Sequence, residues 1–228
     1  MVASDTRAAN RKLHLFPVEV ALFALIFWAD GAGLVPFSKT PFLFLVAWAS
    51  LRLRGSGWRA AGLNINRRWL TLIGIGVAAG VAFWAFEFFI ETPLLRRLTG
   101  QDPDLNVFQA LAGNIRLLAI LIALNLVLAA FGEELVWRGY ALPRVAEILG
   151  DSRIAWAGAI IAVNVVFGLA HLYQGESGVV QAAVQGALLG LLYLATGRNL
   201  LAPIAAHFTA NNCDFITMYL GLHPGIGS

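Results

Sequence analysis

Residues 115–140 read IRLLAILIALNLVLAAFGEELVWRGY, and this stretch decides the fold class. Its first seventeen residues, as far as Phe131, are almost wholly apolar, and about 20 such residues suffice to cross a bilayer as a helix. Two adjacent carboxylates, Glu133 and Glu134, then follow within a helical pattern that continues to Leu149 before Gly150 ends it. The stretch therefore predicts a membrane helix that carries acidic side chains.

Six further segments share this apolar character. Hydrophobic residues make up 59% of the 228 residues and charged residues only 13%, with a mean hydropathy of +0.73. Ordinary globular proteins are about one quarter charged, so the composition excludes a water-soluble enzyme. We predict an all-α fold, a polytopic membrane helix bundle that forms one integral membrane domain over residues 1–228. The seven predicted helices span residues 15–29, 41–53, 69–90, 115–149, 154–171, 179–196 and 200–220.

The basic residues indicate how the helices are oriented. With the N-terminus in the cytoplasm, twelve of the sixteen Lys and Arg residues fall on the cytoplasmic side and four on the opposite side. The positive-inside rule therefore predicts a multi-pass protein with a cytoplasmic N-terminus.

Basic residues before the first apolar run could also belong to a signal peptide. No small-x-small site followed by a polar mature domain appears, however, and we interpret the run as an uncleaved first helix.

The composition also limits the partners of the protein. The formal net charge is +3, and no basic cluster is interleaved with aromatic residues, so no nucleic-acid partner is predicted. Cys213 is the only cysteine, which excludes an intramolecular disulfide and a thiolate zinc cluster. The short loops, the many Ala and Arg residues and the lack of an organelle signal favour a prokaryotic inner membrane.

Three polar motifs interrupt the apolar helices. Charged or strongly polar groups inside a membrane are costly, so each is a functional hypothesis. Residues four apart share a helix face, whereas adjacent residues are about 100° apart. Glu134 and Arg138 are therefore expected to form an ion pair, which leaves Glu133 free to exchange a proton. The motifs are Glu133-Glu134-x-x-x-Arg138, Phe167-x-x-x-His171 and His207-x-x-x-Asn211.

These residue types suffice for hydrolysis of a peptide bond. A buried glutamate assisted by a histidine can deprotonate water, and a second histidine with an asparagine amide can stabilise the oxyanion. Asn164 shares a helix face with His171 and could orient its imidazole. Each motif also has a structural interpretation: interhelical hydrogen bonds for the His-Asn pair, a solvated ion pair for the Glu-Arg pair, and core packing for Phe167.

The three motifs, in this order on separate apolar helices, resemble the CPBP or Abi family, whose eukaryotic relatives are the type II CAAX prenyl endopeptidases. The resemblance covers residues 115–215, the predicted catalytic core. It implies a glutamate-type intramembrane endopeptidase that cleaves a membrane-associated peptide or protein. Glu133 and His171 would activate water, and His207 and Asn211 would form the oxyanion hole. Eukaryotic members are usually described with eight helices, so the count here is seven or eight.

Two alternatives remain open from the sequence. One carboxylate and two histidines can form a zinc site, but no H-E-x-x-H helix is present. If His207 acts with Asn211, only Glu133 and His171 remain as ligands. We therefore predict no metal and no cofactor, with zinc as the second choice. The other alternative is a non-enzymatic scaffold or transporter that uses the same polar cluster, although the inverted repeats typical of transporters are not visible.

The depth of the polar residues in the membrane poses a further question. Glu133 and His207 are predicted towards the cytoplasmic ends of helices four and seven, and His171 towards the far end of helix five. These side chains can meet only if helix four continues well past Glu133 within the membrane, or if helix five starts deep.

Overall fold

The computed structural model describes residues 2–223, with side chains from residue 15 onwards. Residues 1 and 224–228 of the predicted domain, and the side chains of Arg7, Arg11 and Lys12, lie outside this description. The described residues form helices and connections without any strand, which confirms the all-α prediction. Seven long helices can be distinguished among them: α1 Val2–Gly31, α2 Thr40–Leu53, α3 Trp69–Thr99, α4 Ile115–Ile148, α5 Arg153–Leu169, α6 Gly175–Ala195 and α7 Leu201–Tyr219.

Three helical stretches are long and apolar enough to cross a membrane: Trp69–Thr99, Ile115–Ile148 and Leu172–Ala195. The protein is therefore an integral membrane protein. Helices α2 and α5 are apolar but shorter, and α7 contains several polar residues that lower its hydropathy. The helix count agrees with the seven predicted segments, while the number of crossings stays a prediction.

Helix α3 continues further than the sequence predicts. The sequence predicts an extramembrane loop over residues 92–114, with a short interfacial helix as an option within it, because they contain Pro93 and several charges. The first part of this segment, Thr92–Thr99, is instead helical and follows a wide π-turn at Glu87–Glu91. A π-turn can absorb the hydrogen bond that Pro93 cannot donate, so the helix continues. It ends at Gly100, whose positive φ of 74° suits a helix terminus.

Helix α4 explains how residues of different predicted depth come together. It contains 34 residues, and Glu133 lies near its middle rather than at an end. The second half of α4 runs antiparallel to α5, which contains only 17 residues. Glu133 lines the same cavities as His171, which follows the end of α5, so the end of α5 lies level with Glu133. The side chains meet because helix four continues well past its carboxylates, which was the first of the two alternatives.

Candidate active site

The predicted ion pair between Glu134 and Arg138 is present and is completely buried. Arg138 Nη1 donates to Glu134 Oε1 at 2.8 Å, and the two side chains are 1% and 0% exposed. This burial contradicts the alternative of a solvated pair at a helix end. Wide π-helical segments, Asn125–Glu133 and Leu135–Ala141, flank Glu134 on both sides, and such segments are frequent at functional sites.

Arg138 is held by three residues on two other helices. Its Nη2 donates to the Gly186 carbonyl oxygen on α6 at 2.8 Å and to Asn164 Oδ1 on α5 at 3.3 Å. The guanidinium also lies 4.8 Å from the centre of the Phe167 ring, a cation–π geometry. Gly186 permits this approach, since a Cβ there would overlap Asn164 Oδ1. Helix α6 therefore packs closely against the site at Gly186.

Asn164 has a different partner from the one expected. The sequence suggested that it orients His171, but its side chain bonds to Arg138 and to the Ile160 carbonyl oxygen. The seven residues between Asn164 and His171 amount to about 10 Å along a helix, beyond the reach of an asparagine side chain. Asn164 therefore supports the ion pair rather than the imidazole.

The Phe167 backbone orients His171 instead. His171 Nδ1 lies 2.8 Å from the Phe167 carbonyl oxygen. A carbonyl oxygen only accepts hydrogen bonds, so Nδ1 carries the hydrogen and Nε2 of the neutral ring keeps its lone pair. The Phe167 ring is buried and lies 4.8 Å from the imidazole and 5.4 Å from the Trp137 ring. The packing role predicted for Phe167 is thus combined with contact to His171.

His207 binds the same carboxylate oxygen as Arg138. Its Nδ1 lies 2.8 Å from Glu134 Oε1, and the side chain is 5% exposed. Nδ1 therefore carries a hydrogen, and Nε2 can also donate only when the ring is protonated to an imidazolium. Glu134 thus links the ion pair on α4 to the imidazole on α7.

Glu133 lies apart from this network, as the helix geometry predicts. It lines two cavities of about 370 Å³ and 220 Å³, and His171 lines both of them as well. His207 and Asn211 line the smaller cavity. The imidazole of His171 is within electrostatic reach of both Glu133 and His207. The four residues assigned by the resemblance therefore border one space.

Asn125 is a polar residue of the site that the sequence reasoning missed. It accepts a hydrogen bond from Asn211 Nδ2 at 3.1 Å, and its own Nδ2 donates to Asn212 Oδ1 at 3.2 Å. Asn125 is 3% exposed and ties α4 to α7 beside the cavity. A buried amide in an apolar helix is itself a signal of function, so the rule used for the three motifs would have found it.

Other polar residues also border the smaller cavity. Asp214 lines it together with Glu87 from α3, so Asp214 lies next to the site on the same helix as His207. Gln181 on α6 makes an interhelical hydrogen bond, donating to Thr92 Oγ1 at 2.9 Å. Gln185 also lines this cavity. The cavity therefore has polar walls on three helices.

The residues do not fit a zinc site. Within the described part of the chain, no group of three or more His, Cys, Asp and Glu side chains converges in a way that could hold a metal ion. A catalytic zinc ion usually needs three protein ligands. The absence of a cofactor nevertheless stays a prediction.

Comparison with known family models finds a similarity over the second half of the chain. Residues 115–213 match the family model described as Rce1-like, Type II CAAX prenyl endopeptidase Rce1-like. The matched segment contains all three polar motifs and nearly coincides with the predicted core. With its membrane-length helices, the protein is thus an intramembrane protease. The matched residues 115–213 are similar to the family that the motifs resemble. No curated protein and no solved structure matches the chain.

Proposed function

We propose that the protein is a glutamate-type endopeptidase that cleaves a membrane-associated peptide or protein near the membrane interface. One observation carries the proposal: the Glu133 carboxylate and the His171 imidazole line the same cavities, while Glu134 is occupied by Arg138 and His207. A carboxylate that can exchange a proton therefore lies beside an imidazole with a free nitrogen.

The first step of the proposed reaction is attack by water. Glu133 takes one proton from the water while His171 Nε2 accepts a hydrogen bond from it. The water oxygen bonds to the carbonyl carbon of the scissile peptide, and the carbonyl oxygen becomes an oxyanion. A water held between two acceptors in this way is both oriented and more nucleophilic.

The oxyanion is stabilised from α7. Asn211 Nδ2 has two hydrogens, and only one of them is needed for the bond to Asn125. The other can be donated to the oxyanion, together with Nε2–H of a protonated His207. When the tetrahedral intermediate collapses, the C–N bond breaks. The proton held by Glu133 then passes to the leaving amine, which restores the carboxylate.

The family description suggests the first substrate to test. It names a prenyl endopeptidase of CAAX sequences, so we propose a farnesylated peptide ending in a CAAX sequence as the leading probe. The apolar helices would bring such a lipid-anchored peptide to the site within the bilayer. Peptides anchored by an acyl chain or by a transmembrane segment complete the panel, because the substrate class need not be prenylated.

The test is cleavage of this panel by purified protein in lipid nanodiscs. Glu133→Gln should lower kcat by about 10²- to 10⁴-fold, the usual contribution of a general base, and His171→Ala should also lose cleavage. Glu176→Gln is the matched control, since Glu176 is exposed at the start of α6, and it should cleave normally. Retained cleavage by Glu133→Gln would refute the mechanism.

A chelator separates this mechanism from the zinc alternative. We expect wild-type cleavage to persist after prolonged treatment with a strong chelator, because the proposed reaction uses only side chains. Loss of cleavage that added zinc restores would instead establish a zinc hydrolase. If the folded wild-type protein cuts no peptide of the panel, the scaffold or transporter alternative gains support.

A further inference from the structure

We infer that Thr40 is a positioning residue for Glu133, through a hydrogen bond from its hydroxyl group to the carboxylate. The inference rests on the proposed function, in which Glu133 is the catalytic carboxylate. Thr40 lies at the start of α2, outside the segment 115–213 that matches the family. The match therefore assigns Thr40 no role.

Thr40 is packed directly against the part of α4 that carries Glu133. Its side chain is 3% exposed. Its methyl group fills the space that a Cβ atom at position 132 would need. A Cβ at Gly132 would come within 2.8 Å of Thr40 Cγ2, closer than carbon atoms in contact can approach. Gly132 therefore allows α2 to place a hydroxyl group beside the neighbouring carboxylate.

The hydrogen bonds of the turn before α2 direct the Thr40 hydroxyl towards Glu133. Ser38 Oγ donates to Thr40 Oγ1 at 3.1 Å, and the Thr40 backbone N–H donates back to Ser38 Oγ at 3.2 Å. A threonine hydroxyl has one hydrogen to donate. With Ser38 as its donor, Thr40 directs that hydrogen to Glu133 Oε1, 3.5 Å away. Catalytic hydrogen bonds of this length commonly shorten when substrate binds.

Holding Oε1 gives the carboxylate a defined orientation. Glu133 would otherwise rotate freely about its last side-chain bond, because that torsion has only broad preferences. With Oε1 engaged by Thr40, Oε2 is the oxygen left for the water and its proton. The turn is itself anchored: Lys39 Nζ forms an ion pair with Asp30 Oδ2 at 2.7 Å and lies 6.0 Å from the centre of the Tyr173 ring.

The test compares two variants of Thr40 with a matched control, using the peptide that the wild type cleaves best. Thr40→Val removes the hydroxyl but keeps the branched shape, and it should lower kcat by about 10- to 100-fold, the range for one hydrogen bond to a charged group. KM should change much less. Thr40→Ser keeps the hydroxyl and should restore most of kcat. Thr71→Val makes the same change at an exposed threonine of α3 and should behave as wild type.

Infrared spectroscopy tests the same hydrogen bond without any substrate. The carboxylate band that is lost in Glu133→Gln should shift in Thr40→Val and stay in place in Thr71→Val. Wild-type kcat and an unshifted band in Thr40→Val would overturn the inference. So would an equal loss of kcat in Thr40→Ser, since the methyl contact with Gly132 would then be responsible. Retained cleavage by Glu133→Gln would instead refute the proposed function.

Discussion

The guanidinium of Arg138 is a buried charge that several groups compensate together. The Glu134 carboxylate neutralises it, and the Gly186 carbonyl and the Asn164 amide oxygen each accept one of its other hydrogens. A buried ion pair loses much hydration energy on burial, so its benefit depends on such additional hydrogen bonds. The pair therefore contributes most by holding Glu134, and through it His207, in one position.

Removing one charge of this pair should be costly. Arg138→Met leaves Glu134 buried without its guanidinium partner, and we expect the free energy of unfolding to fall by about 3–5 kcal/mol. Adding Glu134→Gln to that variant removes the orphan charge and should recover much of the stability. Cleavage should not recover, because His207 then lacks its carboxylate. Thermal unfolding in detergent, measured beside peptide cleavage, checks both outcomes.

Arg96 offers the control for that experiment. Its side chain is 51% exposed and pairs with Asp102, and exposed ion pairs usually contribute less than about 1 kcal/mol. Arg96→Met should therefore unfold close to the wild-type temperature. If Arg138→Met were equally stable, Arg138 would have no structural role in the site.

The residues that act within one helix could be predicted, and those that act between helices could not. The i,i+4 rule identified the pair of Glu134 with Arg138 and separated Glu133 from it. The contact of His207 with Glu134 joins α7 to α4, so spacing along the chain contains no information on it. Thr40 was missed for the same reason, since its partner is 93 residues away.

Close packing of α3 against α7 holds the oxyanion side of the site. Gly76 and Gly80 face α7, where an added Cβ would overlap the carbonyl oxygens of Ala202 and Ala206 respectively. Without Cβ atoms the two backbones approach closely, as in other membrane helix pairs with small residues. Ala206 directly precedes His207, so the position of this imidazole depends on the contact.

Gly80→Ala should therefore affect both stability and cleavage. Its Cβ would overlap backbone atoms and lie 2.7 Å from Thr209 Cβ, so α7 must shift and move His207. We expect a lower unfolding temperature and a lower kcat. Gly74→Ala on the same helix meets nothing within 4 Å and gains up to about 1 kcal/mol of helix propensity. Equal behaviour of the two variants would contradict the proposed packing role.

Most helix boundaries followed from the sequence, because apolar runs and their Gly and Pro neighbours are local signals. The extension of α3 to Thr99 was missed, since a proline and two arginines are typical of a connection. The relative depth of α4 and α5 could not be decided either. This depth depends on which half of the longer helix packs against the shorter one, and tertiary contacts rather than local sequence decide that.

Across the whole molecule, the connections contact one another in two groups. Residues between α2 and α3 meet those between α6 and α7, where Leu200 N–H donates to the Gly62 carbonyl oxygen at 2.9 Å. The residues between α3 and α4 meet those between α5 and α6, where Asp104 N–H donates to the Gln174 carbonyl oxygen at 2.8 Å. This grouping agrees with helices that alternate in direction.

The count of basic residues on each side of the membrane needs one correction. Arg138 was assigned to the cytoplasmic side, but it lies buried near the middle of α4 and carries no information on orientation. Without it, eleven basic residues remain on the predicted cytoplasmic side, against four on the other. The bias still predicts that the α2–α3 connection is cytoplasmic and that the α3–α4 connection is outside.

Single cysteines introduced into a Cys213→Ser background can test this orientation. Three exposed positions serve as reporters, Leu34 before α2, Ala60 before α3 and Ala110 before α4. A membrane-impermeant maleimide added to intact spheroplasts should label Leu34→Cys and Ala110→Cys. It should reach Ala60→Cys only after the membrane is permeabilised. The reversed pattern would place the N-terminus outside, and labelling of Leu34→Cys only after permeabilisation would show that the short helix α2 does not cross.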